Sequence, residues 1–170
     1  GEDTLSLHDA LPIYAIWYNL KSVIYEELIF RGVLFYILIK RLGGTKAILI
    51  SSIAFGIYHW FTFGVLNNPV QMFWIFIITF LAGYIYALGF YKTNSLYAPI
   101  GMHFGWNIVQ SFVFSAGNIG SGLFVQKLPV PQIQVSYFIY FLITFLHLFL
   151  FILVFAFIFR KRSANAVFFQ

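Results

Sequence analysis

The stretch YEELIFRG, Tyr25 to Gly32, sets two glutamates and an arginine inside a run that is otherwise as apolar as a lipid-facing helix. Three of the five acids in the chain, Glu2, Asp3 and Asp9, lie in the first nine positions, so Glu26 and Glu27 are the only Asp or Glu residues beyond them. A charged side chain at mid-bilayer costs roughly 2.5–3.5 kcal/mol on insertion scales, and such residues face a bundle interior or a water-filled cavity. Glu27 and Arg31 stand four apart with the acid N-terminal, which puts them on one helix face as a pair. Glu26 is turned by roughly 100° from Glu27. It points away from the arginine and needs another partner.

The rest of the chain explains why these charges matter. Of its 170 residues 61% are hydrophobic and only 9% charged, where a soluble domain carries about 25% charged residues. Apolar segments fall at about 15–39, 46–63, 70–91, 96–116 and 134–159, lengths close to the roughly 20 residues that cross a hydrocarbon core. The expected fold is therefore all-α, a polytopic transmembrane helix bundle of about five membrane segments. With no cysteine, disulfides and thiolate metal sites are excluded.

The net charge of +5 is distributed unevenly. Lys40, Arg41 and Lys46 lie between the first two segments, Lys92 between the third and fourth, and Arg160, Lys161 and Arg162 after the fifth. The other side holds Lys127 and Lys21. This is the positive-inside pattern, with the C-terminus cytoplasmic. It assigns the basic residues to membrane lipids and not to nucleic acid.

Residues 1–13, GEDTLSLHDALPI, lack the basic and apolar regions of a signal peptide. Thr4 to Ile13 reads as one frame of a common sequencing adaptor, so the leader is expected to be non-native. His8 and Asp9 are set aside with it, and further helices are expected before Tyr14. The membrane core is expected over 14–118, a loop over 119–133, and a C-terminal helix with a basic tail over 134–170. Gly43-Gly44, Asn67-Asn68-Pro69 and Thr93-Asn94-Ser95 mark the breaks between segments, and Pro99 suits the first turn of the next helix.

Polar groups concentrate in segments one, two and four. Segment two offers His59, with Phe55 one turn before it, and segment four offers His103 and Asn107, four apart on one face. A lone histidine in a helix is most often a packing residue. His147, in FLHLFL with no polar neighbour on its face, is left as one. Three helices that together bring Glu26, His59, His103 and Asn107 carry the parts for adding water to an amide carbonyl. A buried carboxylate serves as general base, His59 shares the proton and orients water, and His103 and Asn107 donate to the oxyanion. No GxSxG and no HExxH is present, which removes motif support for serine and zincin chemistry. Glu26, His59 and His103 are also legitimate zinc ligands, and spacing leaves that alternative open.

EELIFR (Glu26 to Arg31), FGIYH (Phe55 to His59) and HFGWN (His103 to Asn107) occur in this order, each in its own apolar segment. As EExxxR, FxxxH and HxxxN they resemble the three motifs of the CAAX protease and bacteriocin-processing family, the intramembrane glutamic endopeptidases. The text LAGYIYALGFYKTNSLYAPIGMH before the third motif is similar as well, and the likeness covers Tyr25 to Asn107. It implies a metal-independent, cofactor-free peptidase of a bacterial cell membrane, acting on a hydrophobic or membrane-tethered peptide or protein. Glu26 would be its base, His59 its partner on water, and His103 with Asn107 the oxyanion pair. Glu27, Arg31 and Phe55 would be supporting residues. A non-catalytic scaffold or self-immunity protein of the same family, or a zinc-dependent membrane hydrolase, are the alternative functions. At ~1.5 Å per residue, Glu26 lies roughly 21 Å from Lys40 and His59 roughly 20 Å from Lys46. The site is thus expected nearer the non-basic side of the membrane.

Overall fold

The computed structural model describes residues 7–113 and, further on, residues 136, 138, 139, 142, 143, 145, 146, 149, 150 and 153. The expected loop at 119–133, the basic tail and His147 lie outside the described residues, as does most of the fifth segment. Within residues 7–113 five α-helices follow one another: α1 (Leu7–Arg31), α2 (Val33–Leu42), α3 (Gly44–Thr62), α4 (Pro69–Thr93) and α5 (Tyr97–Ile108). A π-helical turn, Val109–Val113, continues α5. Among the described residues there is no strand. The helix α1 passes without a break through position 13, where the leader was expected to end.

Burial in α1 falls on every fourth residue. Ala15, Asn19, Val23, Glu27 and Arg31 are buried, while Tyr25, Leu28 and Ile29 on the opposite side are exposed. The four-residue interval is the one that stacks side chains on a single helix face. What that face carries is inverted relative to a water-soluble helix: the charges are inside and the tyrosine, leucine and isoleucine are outside. The same holds elsewhere, with Ser51, Ser52 and His103 buried and Leu34, Phe61 and Phe73 exposed. A continuous apolar exterior of this kind is matched by lipid and not by water.

The first apolar segment was expected as one helix over 15–39, and the structure divides it at Gly32 into α1 and α2. Backbone bonds still cross the junction, from Gly32 N–H to Leu28 O (3.1 Å) and from Tyr36 N–H to Gly32 O (3.2 Å). The close approach is what requires glycine, because a Cβ at position 32 would lie 2.2 Å from Leu28 O. The straight-helix distance from Glu26 to Lys40 therefore does not hold. His59 and Lys46, both within α3, keep theirs.

The other boundaries follow the sequence signals. Gly43, at φ +81°, ends α2. Asn68 caps α4 by accepting the Gln71 N–H through its side chain, with Pro69 in the first turn. Asn94, at φ 52°, closes the same helix in the left-handed conformation. At one end of the bundle Phe35, Ile39, Ala47, Ile48, Ala87 and Phe90 form a core joining α2, α3 and α4. A second core of Phe55, Ile85 and Tyr86 sits toward the site, and the Ser51 hydroxyl donates to Phe30 O (2.9 Å) to tie α3 to α1. Of the described helices, α4 is the one whose length and composition alone suffice to cross a membrane, with a mean hydropathy of 2.0 in its most apolar stretch.

Gly32→Ala must push Leu28 O away or unbend the junction, a strain of about 1–3 kcal/mol. In Gly101→Ala the new Cβ has no atom within 4 Å to meet, and it is expected to be neutral or slightly stabilising. Denaturant unfolding in detergent micelles, read by circular dichroism, compares the two.

Candidate active site

The site is assembled around a guanidinium with no access to solvent. Arg31 and Glu27 are both fully buried, and Arg31 Nη1 donates to both carboxylate oxygens at 3.0 and 3.1 Å. Its Nη2 donates to Gly83 O of α4 at 2.9 Å. The guanidinium carbon lies 4.4 Å over the Phe55 ring of α3, and Tyr86 of α4 is next at 5.5 Å. Each of these contacts compensates part of the cost of burying a cation. The glycine at 83 suits this closeness, since a Cβ there would lie 3.0 Å from Phe55 Cδ1 and 3.2 Å from Arg31 Nη2, and the neighbours would have to give by a few tenths of an ångström.

Glu27 has a second partner that i, i+4 spacing does not foretell. His103 Nδ1 of α5 lies 2.8 Å from Glu27 Oε1. With the carboxylate ion-paired to Arg31, the ring nitrogen donates, which commits the His103 proton to Nδ1 and turns Nε2 the other way. The ring is stacked on Tyr86, centroid to centroid 4.8 Å and 18° from parallel. His59 is fixed by an analogous device. Its Nδ1 sits 2.8 Å from Phe55 O, and a carbonyl can only accept, so Nδ1 carries the proton there too.

Both Nε2 atoms point at the same place. Each lies 3.9 Å from Glu26 Oε2, too long for a direct hydrogen bond. The other oxygen, Oε1, accepts from Ser22 Oγ at 3.3 Å, whereas Oε2 is buried with no hydrogen-bond partner. One carboxylate oxygen and two imidazole nitrogens thus converge without touching. Among the described residues no group of three or more His, Asp or Glu is placed to hold a metal ion.

In front of the imidazoles opens a cavity of about 170 Å³. Its walls are mostly apolar, from Phe55, Phe63, Ile78, Ala82, Tyr86 and Trp106, with His59, His103, Thr79 and Asn107 as the polar lining. Glu26 is not on that wall, and its Oε2 lies 3.9 Å from each of the two Nε2 atoms. Sequence reasoning named Glu26, His59, His103 and Asn107, and the structure brings the first three together and sets Asn107 on the cavity wall beside the histidines. It missed Ser22, although four-residue spacing from Glu26 would have found it. It missed Gly83 and Tyr86, which sit in a helix with no polar stripe to mark them. Asn19 was missed as well.

A helical bundle with carboxylates, imidazoles and a guanidinium inside and phenylalanine outside is a membrane-embedded protein with a polar, chemically equipped interior. A family model described as type II CAAX prenyl endopeptidase Rce1-like matches residues 9–109, a span that includes all three motifs. The chain belongs to this Rce1-like CAAX endopeptidase family. No curated protein and no solved structure matches it.

Arg31→Met leaves Glu27 buried beside the His103 ring without its cation, and is expected to cost about 3–5 kcal/mol of stability. Glu27→Leu combined with Arg31→Met removes both charges and is expected to recover about 2 kcal/mol or more of that loss. The unfolding midpoints of the single and double variants in micelles give the difference.

Proposed function

We propose that this chain is an intramembrane glutamic endopeptidase, hydrolysing a peptide bond in a hydrophobic, lipidated or membrane-tethered peptide or protein. The observation that carries the reading is the buried, unpartnered Glu26 Oε2, 3.9 Å from two imidazole nitrogens whose opposite sides are fixed. A water molecule has two protons to give and can bridge Glu26 Oε2 and His59 Nε2, two acceptors that cannot bond each other directly. Glu26 takes one proton as the water oxygen bonds to the scissile carbonyl carbon. The Asn107 side chain donates to the oxygen that becomes negative. His103 does the same from Nε2 only as the imidazolium, because its Nδ1 proton is committed to Glu27. Glu26 then returns its proton to the amide nitrogen as the C–N bond breaks.

The proposed membrane arrangement is a multi-pass bundle in a bacterial cell membrane, with the basic end cytoplasmic. Lys40 and Arg41 at the end of α2, Lys46 at the start of α3 and Lys92 at the end of α4 support it. Those three helix ends meet in the core of Ile39, Ala47 and Phe90. His59 lies on α3 roughly 20 Å from Lys46, so the site opens nearer the opposite side.

Glu26→Gln is nearly isosteric and cannot act as base, so cleavage is expected to fall by about 10²–10⁴ with folding unchanged. Asn107→Ala, which removes one donor to the oxyanion, is expected to lower it by about 10²–10³. The assay compares newly formed peptide termini across the membrane proteome of cells expressing each form. Matching termini in wild type and Glu26→Gln, with the gene's phenotype intact, would instead identify a scaffold or immunity protein. Dialysis against a chelator is expected to leave the rate unchanged, and a stoichiometric zinc ion lost together with activity would assign the zinc hydrolase.

A further inference from the structure

A second polar contact joins α1 to the π-turn that continues α5, and the three motifs do not include it. Asn19 is only 6% exposed, although it stands in the middle of a membrane-embedded face. Its Nδ2 spends one proton on Ala15 O at 2.8 Å and the other on Ser111 Oγ at 2.9 Å. Ser111 in turn donates to the backbone carbonyl of Asn107 at 2.6 Å. Donor and acceptor roles align along the chain Asn19, Ser111, Asn107, so each bond polarises the next.

Ser111 sits inside the π-turn Val109–Val113 that begins directly after α5. In a π-turn the backbone bonds skip to the fifth residue, and here a hydroxyl closes on the fourth. The turn that follows Asn107 is therefore held by a side chain, and that side chain is held by Asn19. The two polar contacts between α1 and α5 also share one spacing. Asn19 meets Ser111 and Glu27 meets His103, and the partners are eight positions apart on each helix, in opposite order along the two chains. The helices are antiparallel, pinned at two points roughly 12 Å apart. Between the pins lie Glu26 on α1 and Asn107 on α5.

We propose that Asn19 is a positioning residue of the hydrolytic site: through Ser111 it fixes the α-to-π turn and so sets the Asn107 carboxamide on the cavity wall. With the Asn19 pin removed, the Glu27–His103 bond at the other end remains and the end of α5 beyond it loses its polar tie to α1. Asn107 then moves relative to Glu26 while His103 stays. This inference rests on the endopeptidase reading above.

The test uses the full chain in vesicles of phosphatidylcholine and phosphatidylglycerol, with a fluorogenic farnesylated peptide ending in a CAAX sequence as probe. Asn19→Ala is expected to lower kcat about tenfold, a displacement effect, with KM within about twofold. Ser111→Ala, a smaller change at the same link, is expected to do the same, and Ser111→Thr, which keeps the hydroxyl, to restore the rate. The deciding comparison is Asn19→Ala combined with Asn107→Ala. Because Asn19 acts through Asn107, the double variant is expected to be no slower than Asn107→Ala alone. A second loss that multiplies onto the first, a change confined to KM, or no change in either single variant overturns the proposal. If Asn19→Ala fails to fold, the Ser111 variants in the Asn107→Ala background decide in the same way. A wild type that leaves the probe intact, or a Glu26→Gln variant that cleaves it at the wild-type rate, overturns the endopeptidase reading instead, and the role of Asn19 falls with it.

Discussion

The Arg31 guanidinium is the point on which the described helices depend. It is fully buried, and removing an ion from water costs several kcal/mol even after the protein relaxes. The compensation comes from four directions. Glu27 lies on its own helix, Gly83 O on α4 and the Phe55 ring on α3. Through Glu27, His103 brings in α5. Withdrawal of any of these groups leaves part of the cost of burying the ion pair uncompensated, in a medium that has no water to offer. The ion pair thereby fixes where the helices must meet, and the meeting point is also where the imidazoles are oriented.

The adjacent glutamates divide accordingly. Glu27 is engaged from two helices, by Arg31 on its own helix and by His103 on α5. Glu26, one residue earlier and roughly 100° around the helix, escapes that network and has one oxygen bound by Ser22 and one buried without a partner. Two like residues side by side thus acquire different surroundings from helix geometry alone. A single glutamate could not anchor the bundle and also offer an unbound oxygen to a reaction.

Much of this was readable from spacing within helices. The pairs Glu27–Arg31, Phe55–His59 and His103–Asn107 are each four apart, and four-residue intervals are dictated by the backbone whatever the neighbours do. The helix stops at Gly43 and Asn94 and the helix start at Asn68 were readable for the same local reason. Contacts between helices were not. Nothing in the order of residues says that Glu27 meets His103 or that Arg31 reaches Gly83, because those depend on packing angles and close approaches at distant positions. The break at Gly32 was hidden by hydropathy, because LIFRGVLFY is apolar on both sides of Arg31 and Gly32. Asn19 was hidden by rarity of a different kind, since a single amide in an apolar helix carries no pattern to announce its partner.

Orientation of the two histidines is where the membrane setting has its largest consequence. In water an imidazole can exchange its tautomer and its hydrogen-bond partner with solvent at little cost. Here each Nδ1 is fixed by a group that only accepts, Phe55 O for His59 and the Arg31-bound Glu27 carboxylate for His103. Rotation of either ring would break that bond and leave its Nδ1–H without an acceptor, a loss of about 1–3 kcal/mol. Both Nε2 atoms are therefore held toward Glu26 whether or not anything lies between them. The convergence belongs to the folded chain itself, and it is assembled by backbone carbonyls, one ion pair and the packing of Phe55 and Tyr86.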